Sequence, residues 1–373
     1  RLMAGAIDAG EPAEGNVASI LIDGTLESPN RTLFMSAGAV QAGASTQLTA
    51  GNLYVRLNDI PVGDQVPLDD GGRLAGACLQ GSVCLGTANV NGIVRIGDAG
   101  FEPINLRLNG GIDGTDVLLR ARSVELGQAG VSNVVRASDR LTIESLAEDL
   151  TLNGPLTITG GSGAARVAAF RSIDGVGATI GAPGTLDLFT GGDVRLASVS
   201  AATVRTIDFE GAVLNSGGIS APGTIVIGRI TSGSPLDLDA GKDIALDSFA
   251  VTGAATLTAA NGTIAVATDG AATGGITATA TAVTLNGADG LKVTSASATD
   301  GDLILAAAAG TLTAASSSAS ANVAMTSGGA VSFGSINAGG TADISAQGPI
   351  TGSSVTSAAL GMSTAGAIKL ADG

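Results

Sequence analysis

The 373-residue chain contains no histidine, which removes Ser-His-Asp and Cys-His catalysis and the commonest zinc sites together. Carboxylate pairs are the chemistry that remains: Asp69 with Asp70, Asp113 with Asp116, and Asp237 with Asp239. Two such groups at the right separation serve as acid and base in glycan cleavage. Asp237 and Asp239, however, alternate with Leu236 and Leu238, so a single strand would turn both acids to solvent. A saccharide cleft also draws on stacking aromatics, and one Tyr with seven Phe leaves little to build one. The sequence therefore assigns no catalytic residue, no cofactor and no metal ligand, and a non-enzyme is expected.

Three further patterns bear on chemistry. Gly110-Gly-Ile-Asp-Gly-Thr-Asp-Val117 comes near the Gly-Gly-x-Gly-x-Asp calcium repeat, but it occurs once with the wrong spacing, so a polar turn is expected. Thr277-Ala-Thr279-Ala-Thr281 is a row of the kind that can match an ice lattice on a flat β face. Such a surface needs the row repeated coil after coil, and the outward positions that line up in sequence are Asp, Thr, Ser, Lys and Ala by turns. Cys78 and Cys84 stand six positions apart in Gly76-Ala-Cys-Leu-Gln-Gly-Ser-Val-Cys84-Leu-Gly86, where flanking and intervening glycines allow a small disulfide-closed loop. The alternative is two unpaired thiols in strands; a disulfide fits export.

The elements that position these groups are short strands. Hydrophobic residues make up 45% of the chain but aromatics only 2%, so the core is thin and filled by Ala, Val, Leu and Ile. The 57 glycines, with abundant Ser, Thr, Asn and Asp, supply turns at short intervals. A formal charge of −15 disfavours nucleic acid and anionic lipid as partners, because both need clustered Lys and Arg. No run approaches the roughly 18 apolar residues that span a bilayer, and the start at Arg1 carries no signal-peptide pattern, so the chain reads as a processed piece of something longer.

A repeat organises the C-terminal half: two apolar positions one residue apart, a Gly-containing turn, then two more. It runs as Leu186-x-Leu188 with Val194-x-Leu196, Leu236-x-Leu238 with Ile244-x-Leu246, and Val283-x-Leu285 with Leu291-x-Val293. It continues as Val323-x-Met325 with Val331-x-Phe333, and Leu360-x-Met362 with Ile368-x-Leu370. The residues just before each turn stand at 188, 238, 257, 285, 305, 325, 344 and 362. A step of 50 reads as two coils with insertions, through Ile207-x-Phe209, and a step of 28 as one coil plus a loop; the underlying period is about 20 residues. Period-two alternation means strands with one buried face. A unit this small buries its apolar face only by stacking, each strand pairing in parallel with its copies. The fold class is therefore all-β, a parallel β-helix (solenoid) with about 20-residue coils, in which Leu238, Leu285, Met325 and Ile350 point inward.

Residues 1–135 show the same texture more loosely, as less regular coils, and residues 136–373 are the regular coils of one continuous solenoid. The stretch 58–76, with two prolines and four aspartates, reads as a loop leaving the coil. The segment 138–150 could pass for an amphipathic helix, but Leu141-x-Ile143 and Leu150-x-Leu152 match the strand repeat. Arginine is concentrated in the first half, 12 of 15.

The cadence Leu186-Asp-Leu-Phe-Thr-Gly-Gly-Asp-Val-Arg-Leu196 and Leu236-Asp-Leu-Asp-Ala-Gly-Lys-Asp-Ile-Ala-Leu246 resembles the repeats of filamentous haemagglutinin-like adhesins, well over residues 135–373 and loosely before. The resemblance implies a right-handed β-helix exported through an outer-membrane partner or a fused barrel. It implies an extracellular place on the bacterial surface and a role in adhesion, biofilm or cell contact. The partners it implies are a host-cell, bacterial or matrix glycan or protein receptor, and self-association. A self-assembling extracellular filament subunit and a polysaccharide-degrading β-helix enzyme are the alternatives.

Coils stacked at about 4.8 Å should form a rod of roughly 70 to 90 Å. Small-angle scattering should show a rod-like cross-section regime; a compact particle of about 20 Å radius of gyration would overturn the solenoid.

Overall fold

A computed structural model describes residues 2–3, 19–22, 24–42, 46–57, 82–97, 102–207, 213–216 and 218–371. The described residues form strands and turns with no helix, arranged as a parallel β-solenoid in two compact units, Arg1–Thr190 and Gly191–Gly373. The expected loop at 58–76 lies outside the described residues, as do Asp69, Asp70, Cys78 and Phe209.

In the first unit each coil presents three strand faces, and every face stacks in parallel register on the coil before. One apolar column runs Met35, Val55, Ile96, Leu119, Ile143, Val167, Leu188. A second runs Leu48, Ala88, Ile112, Val135, Ile158, Ile180. A third runs Val40, Val83, Leu106, Val124, Leu150, Ile173. All are buried. The segment that resembles a helix forms two strands, Asn133–Ser145 and Leu150–Leu152: alternate burial of Leu141, Ile143, Leu150 and Leu152 outweighs its helix-like polar pattern.

The second unit is more regular. Along one face the column reads Ile227, Leu246, Val266, Leu285, Leu305, Met325, Ile344, Met362, with steps of 19, 20, 19, 20, 20, 19 and 18 taken from those partners. Along another it reads Leu238, Leu257, Ala278, Ala296, Ser317, Ile336, Val355. Leu238, Leu285, Met325 and Ile350 are fully buried, as expected. The 28-residue step from Leu257 to Leu285 is not one coil plus a loop. Leu257 belongs to the second column and Leu285 to the first, so the apparent insertion is a change of face.

The middle face of the coil changes allegiance within this unit. In the lower coils the first and middle faces are one bent strand: Ile225–Ser232, Ile244–Val251, Thr263–Ala272. In the upper coils the middle and third faces are one bent strand: Leu291–Ala298, Leu312–Ala319, Val331–Ala338. The turn moves accordingly, from Gly253 and Gly275 to Gly290 and Gly310, all with positive φ, a conformation glycine alone adopts readily.

Turn corners are fastened by side chains as well as by glycine. Asp243 Oδ1 accepts from Thr263 N (2.7 Å) and Oγ1 (3.0 Å) in the next coil. Asp302 Oδ1 accepts from Asn322 N and Nδ2, and Asn322 Oδ1 from Thr341 N and Oγ1. These residues precede the first inward position of their coils, so an Asp or Asn there ties its corner to the one above.

Among the described residues, the two aromatic rings buried in this narrow core each sit opposite a missing side chain. Phe249 stacks on Gly270 and Phe333 on Gly352. A Cβ on Gly270 would meet the Phe249 ring at 3.0 Å, and one on Gly352 would overlap the Phe333 ring. Gly352→Ala should therefore destabilise by about 1–3 kcal/mol through overpacking. Adding Phe333→Leu should recover about 1 kcal/mol or more of that loss, a coupling read from a double-mutant cycle in urea; strictly additive losses would contradict the packing.

Candidate interaction surfaces

The outward positions of the third face line up into two rows of hydroxyls, interrupted once by the carboxamide of Asn337. One runs Thr256, Thr277, Ser295, Ser316, Ser335, Ser354. The other, two residues along each strand, runs Thr258, Thr279, Ser297, Ser318, Asn337, Thr356. The rungs of a parallel ladder lie about 4.8 Å apart and alternate residues along a strand about 6.6 Å apart, so the rows form a flat grid. Ser318 Oγ donates to Ser297 Oγ across one rung at 3.2 Å. Both rows are partly or fully exposed and carry no charge.

This overturns the sequence expectation that aligned outward positions are Asp, Thr, Ser, Lys and Ala by turns. The register brings hydroxyls together because the turns differ in length, which spacing along the chain hides. Thr281 departs from its own row: it sits in the corner, its Oγ1 donating to Gly262 O at 2.7 Å. A lattice-matching face would also draw on threonine methyls, which Ser295, Ser316, Ser335 and Ser354 lack.

Asp237 and Asp239 lie on the coil below the two rows, register-paired with Thr256 and Thr258. Leu236 and Leu238 are buried beside them, so both carboxylates stand on the outward side as expected. Asp113 and Asp116 are held apart by separate partners: Asp113 faces Arg136 at 3.5 Å, and Asp116 faces Arg140 at 3.2 Å. The segment 110–117 runs into the strand Ile112–Ala121, and its two carboxylates pair with arginines of the next coil. Cys84 is disulfide-bonded and lies in the strand Ser82–Leu85.

A charged network that spacing does not reveal links successive coils of the first unit. Glu144, only 10% exposed at its side chain, lies 2.8 Å from Arg166 and 3.5 Å from Arg120; Arg120 also lies 3.5 Å from Glu102. A second chain joins Arg107 to Glu125 at 2.6 Å, and Asn153 donates to the same carboxylate at 2.7 Å. Arg107, Arg120, Arg136, Arg140, Arg166 and Arg171 thus bridge coils, where a wider coil brings long side chains onto neighbouring rungs.

Fold and surface together define a parallel β-helix repeat protein with small polar outward rows. Against known protein families, curated proteins and solved structures, the chain matches none.

Glu144→Gln should cost about 1–3 kcal/mol, because it leaves two guanidinium groups facing a neutral amide. Glu125→Gln, in the more exposed pair, should cost no more than about 1 kcal/mol. Equal losses in urea unfolding would show that burial does not set the strength of this network.

Proposed function

We propose that this chain is the structural and adhesive part of an exported bacterial surface protein, of the filamentous haemagglutinin-like kind, and that its role is to hold a repeated polar surface away from the cell. The hydroxyl grid carries this reading. Its rows repeat the same small, uncharged donors and acceptors over six successive coils, which suits many weak contacts along a hydroxylated partner. The outward positions of the two rows carry hydroxyls and one carboxamide and no apolar side chain, so contact through them rests on hydrogen bonds. The partner class is a host, neighbouring-cell or matrix glycan or glycoprotein, and export proceeds through an outer-membrane partner or fused barrel.

Deleting the gene should remove surface fibres and binding to cells or matrix. Restoring it with Thr256, Thr277, Ser316 and Ser335 changed to Lys should bring back the fibres without full binding. Unchanged surfaces with glycan-degrading activity lost from the medium would overturn the reading in favour of an enzyme. Fibres assembled by the purified chain alone, with unaltered adhesion in the deletion, would overturn it in favour of a filament subunit.

A further inference from the structure

The change of allegiance of the middle face leaves a gap in its ladder. Thr263–Ala272 pairs upward only through residues 263–266, ending at Val266 with Leu285. Leu291–Ala298 pairs downward only from Val293 with Ile276. Between these points residues 269–272 are bonded to the coil below, at 248–251, and residues 291–293 to the coil above, at 312–314. No β-pairing joins the two, and their open edges face each other across a groove of about 770 Å³ lined by Val251, Gly270, Ala272, Gly290, Leu291 and Lys292 among others.

Three side chains do the work that rungs do elsewhere. Asn286 Nδ2 donates to Val266 O (2.9 Å) and Ala267 O (3.0 Å). Asp269 Oδ1 accepts from Ala288 N at 2.9 Å. Lys292 Nζ reaches across to Thr273 O at 3.1 Å. The first two lie at one end of the gap and Lys292 at the other, so the interruption is laced at its margins and unpaired in its middle.

We propose that this interruption is a built-in joint, the place where the second unit opens first under heat, denaturant or tension. Opening elsewhere must break backbone rungs on all three faces at once, whereas here one face offers only solvent-accessible side-chain bonds. Local opening free energies vary across a structure in just this way, lowest where bonded backbone is sparse. Opening starts in the two arms that border the gap: 269–272 holds rungs only to 248–251, and Leu291 and Lys292 hold rungs only to 312 and 313, so these arms fray from their one neighbour before the faces paired on both sides separate.

Hydrogen exchange on the full chain tests this. The ladder-bonded middle arms 248–251 and 312–314 should exchange about tenfold faster than the first-face arms of the same coils, 244–246 and 303–307, which run through unbroken ladder. Equal protection would overturn the proposal. Asn286→Ala with Asp269→Ala should raise exchange in those middle arms further and add a protease cut within 286–292. Asp243→Ala, which removes a similar corner bond where the ladder is whole, should leave them unchanged. Overturning results are a double variant with unaltered exchange, or an Asp243 variant that opens the gap equally.

Discussion

The described columns of both units depend on parallel pairing between one coil and the next. A strand of four to six residues has no stability alone, and two faces of a 20-residue coil enclose almost no volume. The third dimension of the core comes from stacking, in which an inward Leu or Ile is covered by its counterparts about 4.8 Å above and below. Composition follows from that geometry. A triangular interior leaves no room for Trp, tolerates Ala at the corners, as in the column Ala280, Ala298, Ala319, Ala338, and, among the described residues, buries Phe only where the next coil has Gly.

The same stacking organises polar residues. At the corners an Asp or Asn receives both the backbone and the hydroxyl of the residue above, so that turns become a hydrogen-bonded column of their own. Such local side-chain to backbone bonds are the ordinary preference of Asp, Asn and Thr in turns; here they connect residues about 20 positions apart. On the faces, outward side chains meet their counterparts on the next coil, and the chemistry differs between units: pairs of opposite charge in the first, rows of hydroxyls in the second.

Strand character and inward positions were legible because period-two alternation is a property of each short segment. Leu141 and Leu150 declared strands against a helix-like pattern, and Leu285 and Met325 declared themselves core. What was not legible is which ladder a segment joins. Leu236-x-Leu238 and Val283-x-Leu285 look alike, yet they occupy different faces, because the pattern reports that a face is buried and the turn length decides which one it is. The hydroxyl grid was hidden for the same reason: Ser295 and Thr277 are 18 residues apart and Ser316 is 21 further on, so no fixed interval finds them. The Glu144 network was hidden because its partners come from coils of unequal length. The loop at 58–76 and Cys78 lie outside the described residues.

The Phe–Gly pairs acquire a different meaning when the columns are viewed as a translational pattern. Where every level of a stack presents Leu, Ile, Val or Ala, sliding one segment by a whole coil exchanges like for like, and the mis-stacked arrangement is nearly degenerate with the native one. Phe249 beneath an ordinary side chain in place of Gly270, or Gly352 above one in place of Phe333, breaks that degeneracy by a clash at one level and a void at another. The two rings thus act as alignment marks in an otherwise self-similar polymer, and coils that lack such a mark are the ones a lineage can most freely duplicate or delete.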